Sequence, residues 1–158
     1  MPAFRCVPIT TETAARFRET GRDDRGDPLH RRIAPSSGFP CRHCLRLATE
    51  GEAVLLGSYD LPLPRGVYWT PSPIFVHEAD CPRFRADDEI AETVRANALV
   101  SLRSYDADGM CLYDLGHVGD GGAVEEPLMR ALADRRTAYV NIHTAKPGCL
   151  LCRVERIG

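Results

Sequence analysis

Lysine is nearly missing from this chain: Lys146 is the only one among 20 basic residues. Arginine supplies the rest, and its planar fork suits carboxylates and phosphates. Acidic residues still outnumber basic ones by 22 to 20, so the net charge of −2 gives no general attraction to nucleic acid or to an anionic membrane. A small anionic ligand and a homodimer are the partners compatible with that balance. Long apolar runs are missing as well, and nothing approaches the roughly 20 residues that a bilayer-spanning helix requires. The opening stretch "MPAFRCVPITTETAARFRET" has no continuous apolar core of the kind a secretion signal carries, so a soluble, cytoplasmic protein is expected. There are no repeats and no low-complexity segments. A chain of 158 residues with 44% hydrophobic residues is expected to form one domain over residues 1–158 and to bury roughly two-thirds of its unfolded surface without cross-links.

Cysteine, by contrast, is plentiful. Seven cysteines in a chain expected to stay in a reducing compartment read as thiols for metal binding or catalysis, and an odd number cannot all pair within one chain.

The pattern of elements predicts an α+β fold, mainly an antiparallel sheet built from hairpins with two or three helices. Residues 3–9 read as a strand, and "TTETAARFRET" as a helix ending at Gly21. Residues 21–40 are rich in charge, Gly, Pro and Ser and read as a surface loop with one strand near His30–Ala34. Strands are expected over 52–59 and 72–78, separated by a proline-rich connection containing Tyr68 and Trp69, which either lines a pocket or pins that connection to the core. A weak helix is expected over 86–98, then a hairpin around Asp106–Gly109. "AVEEPLMRALADRR" has helical spacing with charges matching the helix dipole, and the C-terminal stretch reads as two strands joined by a Lys-Pro-Gly turn. "GHVGDGG" lacks the lysine and spacing of a phosphate loop and reads as a flexible turn.

The motifs "PCRHCLR", "GE.VLL", "IFVH...C", "DADGM" and "AKPGC...RVER" together resemble a bacterial family designated domain of unknown function 1203, from about residue 38 to the C-terminus. The resemblance implies a compact single domain and brings no activity with it.

Two constellations carry chemistry. Cys41 and Cys44 form a C-x2-C knuckle that offers two thiolates from one turn, and His77 with Cys81 forms a second local pair at a strand end. Together they have the spacing of a Cys3His zinc site, closed and therefore structural. Core packing of the cysteines is the competing reading, but Pro40 and Pro82 mark turns, and Arg42, His43, Glu78 and Asp80 are poor neighbours for a core. A thioredoxin-like pair would need a helix after the first cysteine, and Gly51 follows too soon. The second constellation lies in the last hairpin. Apolar alternation there suggests pairing Ile142 with Leu150 and Val140 with Cys152, which would set His143 opposite Cys149 and Tyr139 opposite Arg153. A thiol beside an imidazole can become a nucleophile, giving a catalytic set of Cys149, His143 and Arg153 acting on an anionic small molecule. A hairpin face where these residues meet without function competes with that reading. A third arrangement merges the two sets, with water replacing one ligand of a catalytic zinc. Cys6, Cys111 and Cys152 are expected to pack in the core.

Overall fold

The N-terminal helix shows how closely local chemistry sets the elements. Thr10 stands extended before α1 (Thr11–Thr20) and its side chain accepts from the Thr13 amide, while Gly21 at φ 66 closes the other end by donating to the Phe17 carbonyl. The computed structural model describes residues 2–158. Among the described residues eight strands follow in order: β1 (Phe4–Val7), β2 (His30–Ile33), β3 (Ala53–Tyr59), β4 (Ser72–His77), β5 (Val100–Tyr105), β6 (His117–Gly119), β7 (Tyr139–Thr144) and β8 (Leu150–Arg156). Two further helices are α2 (Glu92–Arg95) and α3 (Glu125–Ala133). All ladders are antiparallel, in a five-stranded sheet ordered β1-β8-β7-β5-β6 and a three-stranded sheet ordered β2-β3-β4, so the chain is a single α+β domain.

Alternation along the strands assigns each face. Val100, Leu102, Val140, Ile142, Cys152 and Val154 point to one core, which α3 covers with Leu128 and Leu132. A second core lies around the three-stranded sheet, where Leu55, Ile74 and Val76 meet Phe17 of α1, Cys41, Cys44 and Leu150 of β8. Leu150 joins the two sheets directly, its amide donating to the Ser72 hydroxyl at 2.9 Å. Among the described residues no helix is long and apolar enough to cross a membrane.

Three expectations change. The helix expected over 86–98 shrinks to one turn, because the residues before it are tied to β1. Asp88 adopts φ 55, accepts from the Phe4 amide and donates back to the Phe4 carbonyl, and Asp87 bridges Arg5. The "GHVGDGG" stretch is more than a turn: it carries the strand His117–Gly119 and leads into a 3-10 turn. Gly121 is buried in a short 3-10 turn and donates to the Asn97 carbonyl at 2.9 Å, and an added Cβ there would collide with the backbone of Val94. In the last hairpin the register differs by two residues from the expected pairing. Val140 faces Val154, Asn141 faces Arg153 and Ile142 faces Cys152, after which a bulge brings His143 opposite Leu150. The bulge lets Leu151 and Cys152 both turn to the first core, which unbroken alternation forbids.

Candidate metal centre

Pro40 leads into a tight reversal in which Cys41 donates to the Arg46 carbonyl and accepts from Leu45, bringing both knuckle cysteines to one side. Leu45 stands at φ 55, a left-handed conformation uncommon for leucine, and its buried side chain anchors the turn in the first core. Opposite, β4 ends at His77, and the chain turns back to Cys81. The backbone amide of His77 donates to the Cys41 sulfur at 3.3 Å, fixing the strand end against the knuckle.

Each of Cys41, Cys44, His77 and Cys81 offers one ligand atom, and all four atoms lie within 4.8 Å of one another. The Cys41 and Cys81 sulfurs are 3.9 Å apart, and the Cys44 sulfur is 3.4 Å from Nδ1 of His77. A tetrahedral ion with metal–sulfur bonds of about 2.3 Å and metal–nitrogen bonds of about 2.0 Å has edges of roughly 3.8 Å between sulfurs and 3.5 Å between sulfur and nitrogen. The two observed edges match these lengths. The group can hold a metal ion.

The surroundings favour negative charge on one sulfur, that of Cys41. The Cys41 thiol is held far below its ordinary range by hydrogen bonds from Cys44 and Cys81, and those two are correspondingly pushed up. The Cys41 thiolate also raises the His77 imidazole. An incoming cation must displace these protons, so loading of the site releases them.

Two residues outside the ligand set, Arg18 and His43, complete the site, and sequence spacing did not single them out for this role. Arg18, on α1, donates from one nitrogen to the Cys81 sulfur at 3.3 Å and from Nε to the His77 carbonyl at 2.9 Å. His43, between the knuckle cysteines, is buried. Its Nε2 meets the Thr11 hydroxyl at 3.1 Å and its Nδ1 lies 3.3 Å from the Cys81 sulfur. Burial lowers the pKa of the His43 ring, whose two nitrogens bridge the Thr11 hydroxyl and the Cys81 sulfur. Glu52 approaches His77 Nε2 only to 3.5 Å, too long for a hydrogen bond, and that nitrogen has no other partner. Arg42, beside them, faces away from the centre. Its guanidinium is buried and donates to the carbonyls of Leu150 and Pro40, each at 2.7 Å, and burial lowers its pKa to about 10.

The second constellation is arranged differently from expectation. His143 is buried opposite Leu150, its Nδ1 is 2.9 Å from the Gly148 carbonyl, and among the described residues no hydrogen bond joins its ring to the Cys149 sulfur. Cys149 is half-buried, its backbone paired with Thr144. Arg153 lies opposite Asn141 rather than Tyr139 and contacts Glu155 at 2.9 Å. Cys6 and Cys152 are buried in the first core as expected, whereas Cys111 is only half-buried, and all seven cysteines are free.

The profile of a family described as protein of unknown function (DUF1203) matches residues 38–156, a span that includes all four candidate ligands. No curated protein and no solved structure matches the chain.

Proposed function

Because the chain belongs to the DUF1203 family of proteins of unknown function, kinship assigns it no activity, and we propose from its own residues that it is a binding or regulatory module stabilised by a structural zinc ion. The supporting observation is the convergence of Cys41, Cys44, His77 and Cys81, donors from two distant segments, within 4.8 Å of one another, with one sulfur–sulfur and one sulfur–nitrogen distance at the edge lengths of a tetrahedron. Three thiolates and one imidazole are borderline-soft ligands that suit zinc over magnesium or calcium, which prefer oxygen. Four protein donors leave no open coordination position, so the ion holds structure and does not bind substrate. Free thiols throughout are consistent with a reducing, cytoplasmic location.

Elemental analysis of untagged protein, purified without chelator, is expected to give one zinc per chain. Cobalt substitution should add thiolate-to-metal charge-transfer bands and the intense visible bands of a tetrahedral ion. Cys44→Ser should lose both metal and thermal stability. Protein that carries no zinc, and takes up none when titrated in reducing buffer, would overturn the assignment.

A further inference from the structure

A cleft distinct from the metal centre lies against the outer face of the five-stranded sheet, covered by the proline-rich connection between β3 and β4. Its enclosed volume is about 40 Å³, enough for the polar end of a small ligand, and its mouth is open to solvent. The walls are aromatic: Tyr68 and Trp69 come from the connection, and Tyr105 and Tyr139 stack on the sheet with ring centres 5.2 Å apart. Trp69 is fixed there by donating its indole N–H to the Leu61 carbonyl at 2.9 Å.

The floor is polar, and its hydrogen-bonding capacity is unfilled. Asn141 and His143 follow alternate positions on β7 and both line the cleft, although they are only 4% and 7% exposed. Asn141 Oδ1 and His143 Nε2 are buried without a hydrogen-bond partner. Leaving such atoms unpaired is costly, and native structures rarely do so without a water or ligand. His143 donates from Nδ1 to the Gly148 carbonyl, and burial lowers its pKa to about 4, so at neutral pH Nε2 is a lone-pair acceptor. Beside these two acceptors stands Arg103, also lining the cleft. Its Nε makes a long hydrogen bond to the Ser101 hydroxyl at 3.4 Å, its side chain also reaches Tyr105, and no carboxylate among the described residues pairs with it. Gly148 borders its terminal nitrogen.

Two buried acceptors beside an unpaired guanidinium, under a roof of flat rings, define the complement of an occupant. We propose that this cleft binds a small carboxylate that carries an adjacent hydroxyl or amine donor and a flat apolar portion. The carboxylate pairs with the Arg103 fork, the donor is shared between His143 Nε2 and Asn141 Oδ1, and the apolar part packs against Tyr68 and Trp69. This inference is independent of the zinc assignment.

Trp69 is the only tryptophan, so its fluorescence reports on the cleft directly. Mandelate is the probe, with phenylacetate lacking the hydroxyl donor, mandelamide lacking the charge, and lactate lacking the ring. Mandelate should change Trp69 emission saturably, and both phenylacetate and mandelamide should bind about tenfold more weakly or worse. Arg103→Gln should weaken mandelate by a similar factor while Arg103→Lys retains part of the affinity, each variant being checked for an unchanged melting temperature. If Arg103→Gln fails to fold, Asn141→Ser serves in its place, removing one acceptor, with the same loss expected. Absence of a saturable change with both mandelate and lactate up to about 20 mM leaves ordered water as the partner of these atoms and overturns the proposal. Equal binding of mandelate, phenylacetate and mandelamide overturns it too, as does mandelate binding unaffected by the folded variants.

Discussion

The guanidinium of Arg18 donates to the sulfur of Cys81 at 3.3 Å and, through Nε, to the carbonyl of His77 at 2.9 Å. One side chain on α1 therefore grips both members of the second ligand pair. Arg18 lies only 12% exposed in its side chain, and its contact with Asp80 is with a fully exposed carboxylate that contributes little. With a divalent ion bound, its main electrostatic role would be to offset the surplus negative charge that three thiolates place around that ion.

Arg18→Met should keep the apolar stem and lose the donors. Zinc affinity, measured by competition with a chromophoric chelator, should fall about 10- to 100-fold, the range typical for loss of an outer partner of a metal ligand. Stoichiometry at saturating zinc should stay at one. An affinity equal to that of the parent would show that the Arg18–Cys81 contact does not support the ion.

Arg42 is a different case, since its buried guanidinium bonds carbonyls from two separate segments and touches no carboxylate. Arg42→Ala would leave the Leu150 and Pro40 carbonyls short of donors and open a cavity between the knuckle and β8. A destabilisation of about 2–4 kcal/mol is expected in urea unfolding at fixed zinc. A loss below about 0.5 kcal/mol would show that water replaces the side chain without penalty.

His143 predicts an acid limit to stability. Its folded pKa is depressed to about 4 by burial, against about 6.5 in the unfolded chain. The unfolded state therefore takes up the proton first. The contribution is fully present above pH 6.5 and is lost as pH falls through the window from about 6.5 to 4, amounting to about 3 kcal/mol over the whole window. Unfolding of the zinc-loaded protein, compared with His143→Gln across that range, should show the difference in slope. Parallel curves would mean that His143 titrates normally.

Gly121 has no room for a side chain, because a methyl group would meet the Val94 carbonyl. Gly121→Ala should cost about 1–3 kcal/mol, toward the upper end because backbone must move. Gly122→Ala, whose added carbon would approach the Asp120 side chain more loosely, should cost clearly less. Equal melting temperatures for the two variants would contradict this packing.

Much of this architecture is legible from residue order. Helix α1 announces itself through its threonines and Gly21, and the four ligands through two local pairs flanked by prolines. The register of the last hairpin is not legible, for a definite reason. A slip of one residue would turn every side chain over, but a slip of two keeps Val140, Ile142, Cys152 and Val154 on the same face, so apolar alternation cannot tell the two pairings apart. Arg18 and His43 were hidden for another reason: both act through contacts that exist only after α1 docks on the knuckle. Asn141 and Arg103 look like ordinary strand residues until Tyr68 and Trp69 fold over them.

The separation of the two ligand pairs carries a consequence for how the chain reaches its final state. Thirty-six positions separate His77 from the Cys41 sulfur that its amide touches, so neither half can assemble the cage during early, local steps of folding. A bound ion would then act as a late fastener: a nascent chain would wait with its sulfurs exposed, and oxidants would compete with metal for them during that interval. Yield of correctly folded protein on dilution from denaturant should accordingly depend on zinc and reductant being present together at that moment, rather than added afterwards.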